Sequence, residues 1–392
     1  MSATVSEPRP SLAGIVAVME HHYPPSLAQS WDAVGLVCGD PARPVARVLF
    51  AVDPTDAVVD EALEWNADLI VAHHPLLLRA VNSVAMTTNK GSRLHRLIRA
   101  ECALLTAHTN ADSANPGVSD ALADALGVVG LRPLAADLDY RVPETYKLTV
   151  FVPLEQVDVV VEELSAAGAG RVGAYDHCAY VVEGTGQFRP LPGASPAVGT
   201  VGATERVSEG RVEMVLDASV RREVESALLA VHPYEQPAYD FVRVESARPG
   251  ASIPGVGLGR VGRLPEPMRL GEFTRQVAET LPRTAAGVRV AGDEELLVTT
   301  VALCGGAGDS LLDAARSQGA DVYVTSDLRH HRLEEHLAAG GCAVIDVAHW
   351  ASEWPWLSQA RDVVHYGAKD LGASVETRIS VLVTDPWSRH ES

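Results

Sequence analysis

Cysteine is scarce in this sequence of 392 residues, and no two of its five cysteines form a Cys-x-x-Cys pair. An odd number of widely spaced cysteines argues against a disulfide framework and fits free thiols in a reducing compartment. Long apolar runs are also missing, since none approaches the ~18 residues of a membrane-spanning helix, and the first residues lack a signal-peptide core. We therefore expect a soluble, cytoplasmic protein that does not engage a membrane.

Positive charge is in short supply as well. The 32 Lys and Arg residues stand against 51 Asp and Glu residues, which gives a formal net charge of −19 at pH 7. Without a dense run of Lys and Arg, this charge argues against nucleic acid as a partner. What the sequence does contain is histidine, with 14 residues that include three His-His pairs, in a chain of ordinary globular composition.

Short apolar runs alternate with helical patterns at both ends of the chain. The predicted strands of the first block are 48–52, 68–72 and 103–107, and those of the last block are 297–303, 321–324 and 343–347. This alternation favours an α/β fold with mostly parallel sheets. Residues 1–140 and 255–392 repeat the pattern, so we predict two similar α/β halves that form one core.

The middle of the chain has a different pattern. Residues 145–245 follow the order β-α-β-β-α-β, with a Gly- and Pro-rich stretch at 184–202 between the inner strands. This order is typical of the ferredoxin-like fold. We therefore predict an inserted α+β domain here.

Histidines and carboxylates follow the ends of the predicted strands at His73, His74, Asp112, His349 and Glu353. Because the carboxyl ends of parallel strands share one edge of a sheet, we expect these side chains to converge as metal ligands. Five ligands are too few to fill two four-coordinate sites. If Glu353 bridges two divalent ions, each ion keeps open positions, as catalytic sites do. Imidazole and carboxylate ligands suit Zn, Fe, Mn, Co or Ni.

Three further residues are candidate catalytic helpers. His108 is interpreted as a residue that orients a ligand, as a proton shuttle, or as a structural residue at a strand end. Asp327 and His331 are candidate acid and base groups of the same cleft. The alternative for this pair is a helix cap and a solvated histidine.

Two other segments have a functional and a structural interpretation. Gly305, Gly306 and Gly308 lie between a predicted strand and a predicted helix, where backbone amides can bind an anion, or they form a plain tight turn. The segment lacks the Gly-Lys-Ser/Thr ending of a P-loop. The segment 232–235, His-Pro-Tyr-Glu, is interpreted as a packing turn rather than as a ligand site.

Six segments in this order make the chain resemble a known family. They are Trp31–Leu36, His73–Leu76, His108–Asp112, Gly305–Gly308, Thr325–His331 and His349–Glu353. The sequence resembles the GTP cyclohydrolase 1 type 2 homologue family, also called the Ngg-interacting-factor-three-like proteins. Ser326 departs from the family, whose members more often have glycine at that position.

The resemblance carries its own expectations. It implies that His74 and Asp112 bind one metal ion, that His73 and His349 bind the other, and that Glu353 is shared. It also implies the long form of the family, in which the insertion is a PII-like or CutA-like domain. The usual assembly of the family is a toroidal homohexamer with its metal sites facing the interior.

These observations lead to two functional hypotheses. The first is a dinuclear metal-dependent hydrolase that acts on a small molecule, such as a nucleotide or another phosphate-containing compound; the family name implies GTP. The second is a non-catalytic metal-binding, regulatory or metal-delivery protein that uses its PII-like domain as a sensor or docking module. An acidic protein that binds an anionic nucleotide would need the metal ions to supply local positive charge.

Overall fold

The computed structural model describes residues 8–136, 145–172, 175–244 and 255–391. Its contacts divide the chain into two units, of which unit 1 comprises Met1–Arg141 with Gly250–Ser392 and unit 2 comprises Val142–Pro249. The structure is a mixed α/β fold with three sheets. None of the described helices is long and apolar enough to cross a membrane.

The first part of unit 1 alternates strands and helices. The elements are α1 (Leu12–His22), β1 (Gly35–Cys38), β2 (Arg47–Ala51), α2 (Asp56–Glu64), β3 (Leu69–Ala72), α3 (Asn89–Arg99), β4 (Ala103–Thr106), α4 (Thr109–Ser113), α5 (Val118–Leu126) and β5 (Val129–Ala135). Local chemistry explains their limits. The hydroxyl of Thr55, for example, accepts a hydrogen bond from the amide of Val58 and so begins α2.

Unit 2 has the element order β-α-β-β-α-β. Its elements are β6 (Thr145–Pro153), α6 (Val157–Ala166), β7 (Ala179–Phe188), β8 (Glu205–Asp217), α7 (Arg221–Val231) and β9 (Tyr239–Val244). The strands form one antiparallel sheet in the order β7-β8-β6-β9. Buried side chains such as Val150, Leu164, Val212 and Leu228 join this sheet to both helices.

The last part of unit 1 returns to alternating strands and helices. The elements are β10 (Leu258–Arg269), α8 (Leu270–Thr280), β11 (Arg289–Ala291), β12 (Leu297–Ala307), α9 (Leu312–Ser317), β13 (Val322–Ser326), α10 (His330–Ala338), β14 (Ala343–Val347), α11 (His349–Glu353), α12 (Trp356–Asp370) and β15 (Glu376–Ile379). Four short 3-10 turns complete the described part of the chain, at Pro25–Leu27, Leu154–Gln156, Ala218–Val220 and Asp309–Leu311.

Two sheets share the core of unit 1. One sheet has the order β1-β4-β3-β2-β15 and the other the order β11-β14-β13-β12-β10-β5. In each sheet three consecutive strands run parallel, β2, β3 and β4 in the first and β12, β13 and β14 in the second. Phe50 and Leu105 of the first sheet and Val301 and Ile345 of the second belong to one buried cluster, together with Trp356 of α12.

The two sequence blocks of unit 1 exchange strands. Strand β15, near the end of the sequence, pairs in parallel with β2, so that Glu376 lies opposite Arg47. Strand β5, from the first block, pairs antiparallel with β10, where Pro133 lies opposite Arg260. Each sheet therefore has an edge strand from the other block, and the interleaving is not visible in the apolar patterns of either block alone.

A buried ion pair also connects the blocks. The guanidinium of Arg260 donates from Nε to Asp120 Oδ1 at 2.8 Å, and its Nη2 lies 2.7 Å from Asp120 Oδ2. The same guanidinium donates to the carbonyl oxygens of Gly257, Gly259 and Ala114. Since Nε, Nη1 and Nη2 of Arg260 all have acceptors, the ion pair fixes the position of β10 relative to α5.

Candidate metal centre

The pair His73 and His74 directly follows β3. The amide of His73 donates to the carbonyl of Ala51 and that of His74 to the carbonyl of Val52, so the extended backbone continues beside β2 before Pro75 ends it. The two imidazole rings lie 5.1 Å apart, centroid to centroid. His73 is fully buried, whereas His74 is partly exposed.

Two further ligands lie one helical turn apart on α11. Nε2 of His349 is 3.0 Å from Oε1 of Glu353, because residues four apart share one face of a helix. The fifth predicted ligand, Asp112, lies on α4, and its Oδ1 is 3.7 Å from Nε2 of His73. The structure therefore brings all five predicted ligands to one edge of the two sheets.

Glu353 lies at the centre of the group although its carboxylate is only 3% exposed. Nε2 of His73 lies 3.4 Å from Oε1 of Glu353, and Nε2 of His74 lies 3.0 Å from Oε2. Neither Nε2 of His73 nor Oε2 of Glu353 has a partner in hydrogen-bond geometry. Two buried polar atoms that face the same cluster without a hydrogen bond fit a position for a cation.

The outer nitrogen of each ligand imidazole is already engaged. Nδ1 of His74 donates to Asp53 at 2.6 Å, and Nδ1 of His349 donates to Asp327 at 2.7 Å. Nδ1 of His73 donates to the carbonyl of Ala107 at 2.8 Å. With the proton held at Nδ1, the neutral ring presents the lone pair of Nε2 to the cluster, which is the arrangement of metal-binding histidines.

His108 lies beside the ligand pair. Its ring centroid is 5.2 Å from that of His73 and 5.6 Å from that of His74. Nδ1 of His108 donates to Asp32 at 2.8 Å. Burial would raise the pKa of Asp32, but the bonds from His108 and Thr109 outweigh it and lower that pKa to about 2. Asp32 is therefore a carboxylate that fixes the orientation of the ring.

Charge coupling within the cluster shifts its pKa values strongly. The negative charge of Glu353, opposed by burial and assisted by Asp327, raises the pKa of His349 to about 11. Burial lowers the pKa of His74, but Glu353 and Asp53 outweigh it and raise that pKa to about 10. Burial raises the pKa of Glu353, yet the three histidines hold it well below its usual value. Positive charge at this point is therefore strongly favoured, whether protons or metal ions supply it.

Two sets of potential ligand atoms lie close together in the cluster. One set of potential ligand atoms comes from His74, His349 and Glu353, and the other from His73, His74 and His108. In each set the atoms lie within 4.8 Å of one another. Oε1 of Glu353 lies near Nε2 of both His73 and His349, the pair that the resemblance assigns to one ion, and Oε2 lies near His74. Asp112, which the resemblance pairs with His74, lies against His73.

Two predicted helpers have different surroundings. Asp327 takes a left-handed backbone conformation, with φ 58°, and orients His349 through its carboxylate. His331 is exposed near the start of α10 and is not among the described residues that line the cavity over the cluster. Ser326 is buried at the end of β13, and the positive φ is that of the next residue, Asp327.

The glycine segment is not an open loop over its whole length. Gly305 and Gly306 lie within β12, and their amides donate to the hydroxyls of Ser119 and Ser352. Gly308 follows the strand and precedes a 3-10 turn. Two of the three amides proposed for anion binding therefore have partners inside the protein.

Sequence reasoning missed Asp53, the residue that orients His74. It directly follows β2, at the same edge as the other site residues, and this position is the signal that could have identified it. A cavity of about 640 Å³ lies over the cluster. His74, His108 and His349 line one side of this cavity, and Arg289 and Trp387 contribute to the rest of its wall.

Comparison with known proteins gives concordant matches over nearly the whole chain. Residues 10–386 match the family model Duf34/NIF3 (NGG1p interacting factor 3). A Mycobacterium tuberculosis protein named GTP cyclohydrolase 1 type 2 homolog is 51% identical over 385 residues, which cover 96% of each chain. A Bacillus cereus crystal structure described as related to NIF3 is 35% identical with a TM-score of 0.64, and covers 96% of this chain and 98% of its own. A Staphylococcus aureus structure is 27% identical with a TM-score of 0.65, and covers 97% and 99%.

Proposed function

The chain belongs to the Duf34/NIF3 family, and on that basis we propose that it is a dinuclear metal-dependent hydrolase. The observation that carries the proposal is the buried carboxylate of Glu353 with three imidazole nitrogens directed at it. A buried carboxylate that shares three histidines suits a bridging ligand between two cations.

The residues present fit two divalent ions. His74, His349 and Glu353 would hold one ion, and His73, Asp112 and Glu353 the other, with His108 next to the second set. The unbonded Nε2 of His73 and Oε2 of Glu353 support cations at this cluster under either grouping of the ligands, because buried polar atoms otherwise acquire hydrogen bonds. The alternative pairing, in which His74 joins Asp112 and His73 joins His349, is the one the resemblance implies.

The chemistry divides between the metals and the protein. Two adjacent divalent ions in such a site supply Lewis acidity that activates water and polarises a carbon or phosphorus centre. Asp53 and Asp327 orient the two exposed ligand rings, and Asp32 orients His108. We propose His108 as the group that holds and moves a proton, because its Nδ1 is fixed by Asp32 and its ring lines the cavity.

We propose a small phosphate-containing molecule as the substrate class. Curated relatives carry the name GTP cyclohydrolase 1 type 2 homolog, so GTP is the first compound to test. The cavity of about 640 Å³ has room for a molecule of that size.

Metal analysis combined with anomalous scattering tests the proposal. Protein purified without chelator or His tag should contain two metal ions, seen as two peaks a few ångströms apart at Glu353. Glu353→Ala and Asp112→Ala should lose metal and turnover of GTP or of a phosphoester panel, while Glu101→Ala, an exposed carboxylate, should keep both. One peak or none at adequate metal supply contradicts the dinuclear site. Equal turnover by wild type and both ligand variants contradicts the hydrolase.

A second candidate function rests on unit 2. We propose that this unit is a PII-like or CutA-like domain, which its sheet order and two helices support, and that the family's homohexamer is the assembly. Unit 2 has its own cavity of about 690 Å³, lined among others by Phe188, Glu209 and Tyr234. This cavity favours a regulatory or metal-delivery protein in which unit 2 senses a ligand. Tight metal binding without turnover, combined with ligand binding that Tyr234→Ala abolishes, would support it over the hydrolase.

A further inference from the structure

The segment after β15 forms part of the cavity over the metal centre. His74, His108 and His349 line this cavity together with six residues of the segment: Thr384, Asp385, Pro386, Trp387, Arg389 and His390. The proposed hydrolase chemistry assigns no role to this segment.

Specific contacts hold the segment in place. Ser380 donates from its hydroxyl to Glu61 at 2.6 Å and from its amide to the carbonyl of Phe50 at 2.8 Å. Further along, the hydroxyl of Thr384 donates to Asp53 Oδ2. The other oxygen of Asp53 accepts from His74, so one carboxylate joins the segment to a candidate metal ligand. The segment is therefore held next to the candidate metal ligands through Asp53.

Trp387 presents a largely exposed indole ring to this cavity. Its side chain is 69% exposed although it lines a cavity, and its amide donates to Asp385 at 2.9 Å, which fixes the turn that presents it. An exposed indole over a cavity can stack against a planar ring, and the stacked ring removes apolar surface from water.

Arg389 supplies a cation for an anionic group on the same ligand. Four carboxylates also line the cavity: Asp53 accepts from His74 and Thr384, Asp327 accepts from His349, Asp385 accepts from the amide of Trp387, and Asp346 pairs through Oδ2 with Arg289, the other arginine of the wall. Arg389 pairs only with Glu391 among its described contacts, and both side chains are more than 70% exposed. Such an exposed pair is weak, so the guanidinium can exchange Glu391 for a ligand anion.

We infer that Trp387 and Arg389 form a recognition subsite for a ligand with a planar ring and an anionic group, and that they direct its reactive part toward His74, His108 and His349. The inference rests on the proposed function for the identity of the reactive part. Ring stacking and anion binding themselves do not require turnover.

Binding of three probes to the full chain tests the subsite, with metal-free and metal-loaded protein measured side by side by calorimetry. Guanosine 5′-monophosphate has both features, guanosine lacks the anion, and ribose 5-phosphate lacks the planar ring. Trp387→Ala should weaken the binding of the monophosphate and of guanosine roughly 5- to 150-fold but leave the binding of ribose 5-phosphate unchanged. Trp387→Phe should restore most of the affinity.

Arg389→Ala should weaken the binding of the monophosphate and of ribose 5-phosphate about tenfold or more, and should leave the binding of guanosine unchanged. Two controls match these changes: Tyr366→Ala removes an exposed aromatic side chain from α12, and Arg43→Ala removes another arginine from an exposed ion pair with glutamate. Both should bind all three probes like the wild type.

The outcomes separate this inference from the proposed function. Absence of monophosphate binding at millimolar concentration, or equal effects of Trp387→Ala and Tyr366→Ala, overturns the subsite even if metal-dependent hydrolysis is found. The predicted pattern in a protein that hydrolyses none of the tested compounds supports the subsite and contradicts the hydrolase.

Discussion

Oδ2 of Asp327 lies 2.7 Å from Nδ1 of His349, and the two residues follow neighbouring parallel strands. The carboxylate keeps the proton on Nδ1 and directs Nε2 toward Glu353, 3.0 Å away. Asp53 performs the same task for His74 on the other sheet. Each sheet thus provides one exposed ligand ring and the carboxylate that orients it.

Asp327→Asn should weaken metal binding. The amide accepts the bond from Nδ1 less strongly than the carboxylate does, and loss of such an orienting partner typically lowers metal affinity 10- to 100-fold. Competition with a chromogenic chelator measures this change. Asp313→Asn, which alters an exposed carboxylate on α9, should have no effect. An unchanged affinity in Asp327→Asn would show that the hydrogen bond is not used to position His349.

Gly306→Ala should remove metal while the fold is kept. Gly306 has φ +70°, and a Cβ there would lie 2.4 Å from Oε1 of Glu353 and 3.1 Å from Nε2 of His349. Gly319→Ala is a matched control, because Gly319 has φ +71° but nothing within 4 Å of a new Cβ. Both variants should lose about 1–2 kcal/mol of stability from the left-handed backbone, and only Gly306→Ala should lose metal in elemental analysis. Equal metal content in the two variants would contradict the crowding argument.

Metal-free and metal-loaded protein should respond to pH in opposite ways. The raised pKa values of His74, about 10, and of His349, about 11, stabilise the metal-free fold below the unfolded value of about 6.5, and this stabilisation is lost as pH rises toward those values. The metal-free protein should therefore unfold more easily at pH 9 than at pH 6. Metal ions require deprotonated imidazoles, so they should stabilise the fold more at the higher pH.

Thermal unfolding at pH 6 and pH 9, with chelator or with saturating metal, measures how the unfolding temperature of each form changes with pH; this change is the slope. Glu353→Gln removes the carboxylate that raises both histidine pKa values, so the slope of the metal-free protein should become smaller. If the unfolding temperature changes with pH in the same way with and without metal, metal ions and protons do not compete for these histidines.

Asp120→Asn should destabilise unit 1 substantially. It leaves the buried guanidinium of Arg260 without its counter-charge, and breaking one partner of a buried pair typically costs about 3–5 kcal/mol. Asp124→Asn, an exposed neighbour on α5, should change stability by less than about 0.5 kcal/mol. Denaturant unfolding compares the two. Similar free energies of unfolding for the two variants would show that water or a rearrangement replaces the ion pair.

The sequence allows the strands and the five-ligand cluster to be predicted because both depend on local pattern. Buried parallel strands are continuous apolar runs, and residues directly after such strands share one sheet edge. His73, His74 and His349 therefore stand out before any contact is known. The family resemblance rests on the same segments, and the comparisons confirm it.

Other features depend on contacts between distant segments and leave no local pattern. Strand β15 is a short edge strand of mixed exposure, and its pairing with β2 joins residues 329 positions apart, as the ion pair of Arg47 with Glu376 illustrates. Asp120, the partner of Arg260, is 140 positions away in the sequence. The apolar pattern predicts a strand that ends at Leu303 before the glycine segment, whereas β12 continues through Gly305 and Gly306 to Ala307 with an irregular register.

The exchange of edge strands has a consequence for the order in which the protein matures. Strands β2, β3 and β4 emerge from the ribosome long before β15, so the edge of β2 stays unpaired until Glu376–Ile379 has been made. His349 and Glu353 are also made late, more than 200 residues after His73, His74 and Asp112. A chain truncated before His349 would therefore carry both an unpaired strand edge and an incomplete set of the predicted ligands.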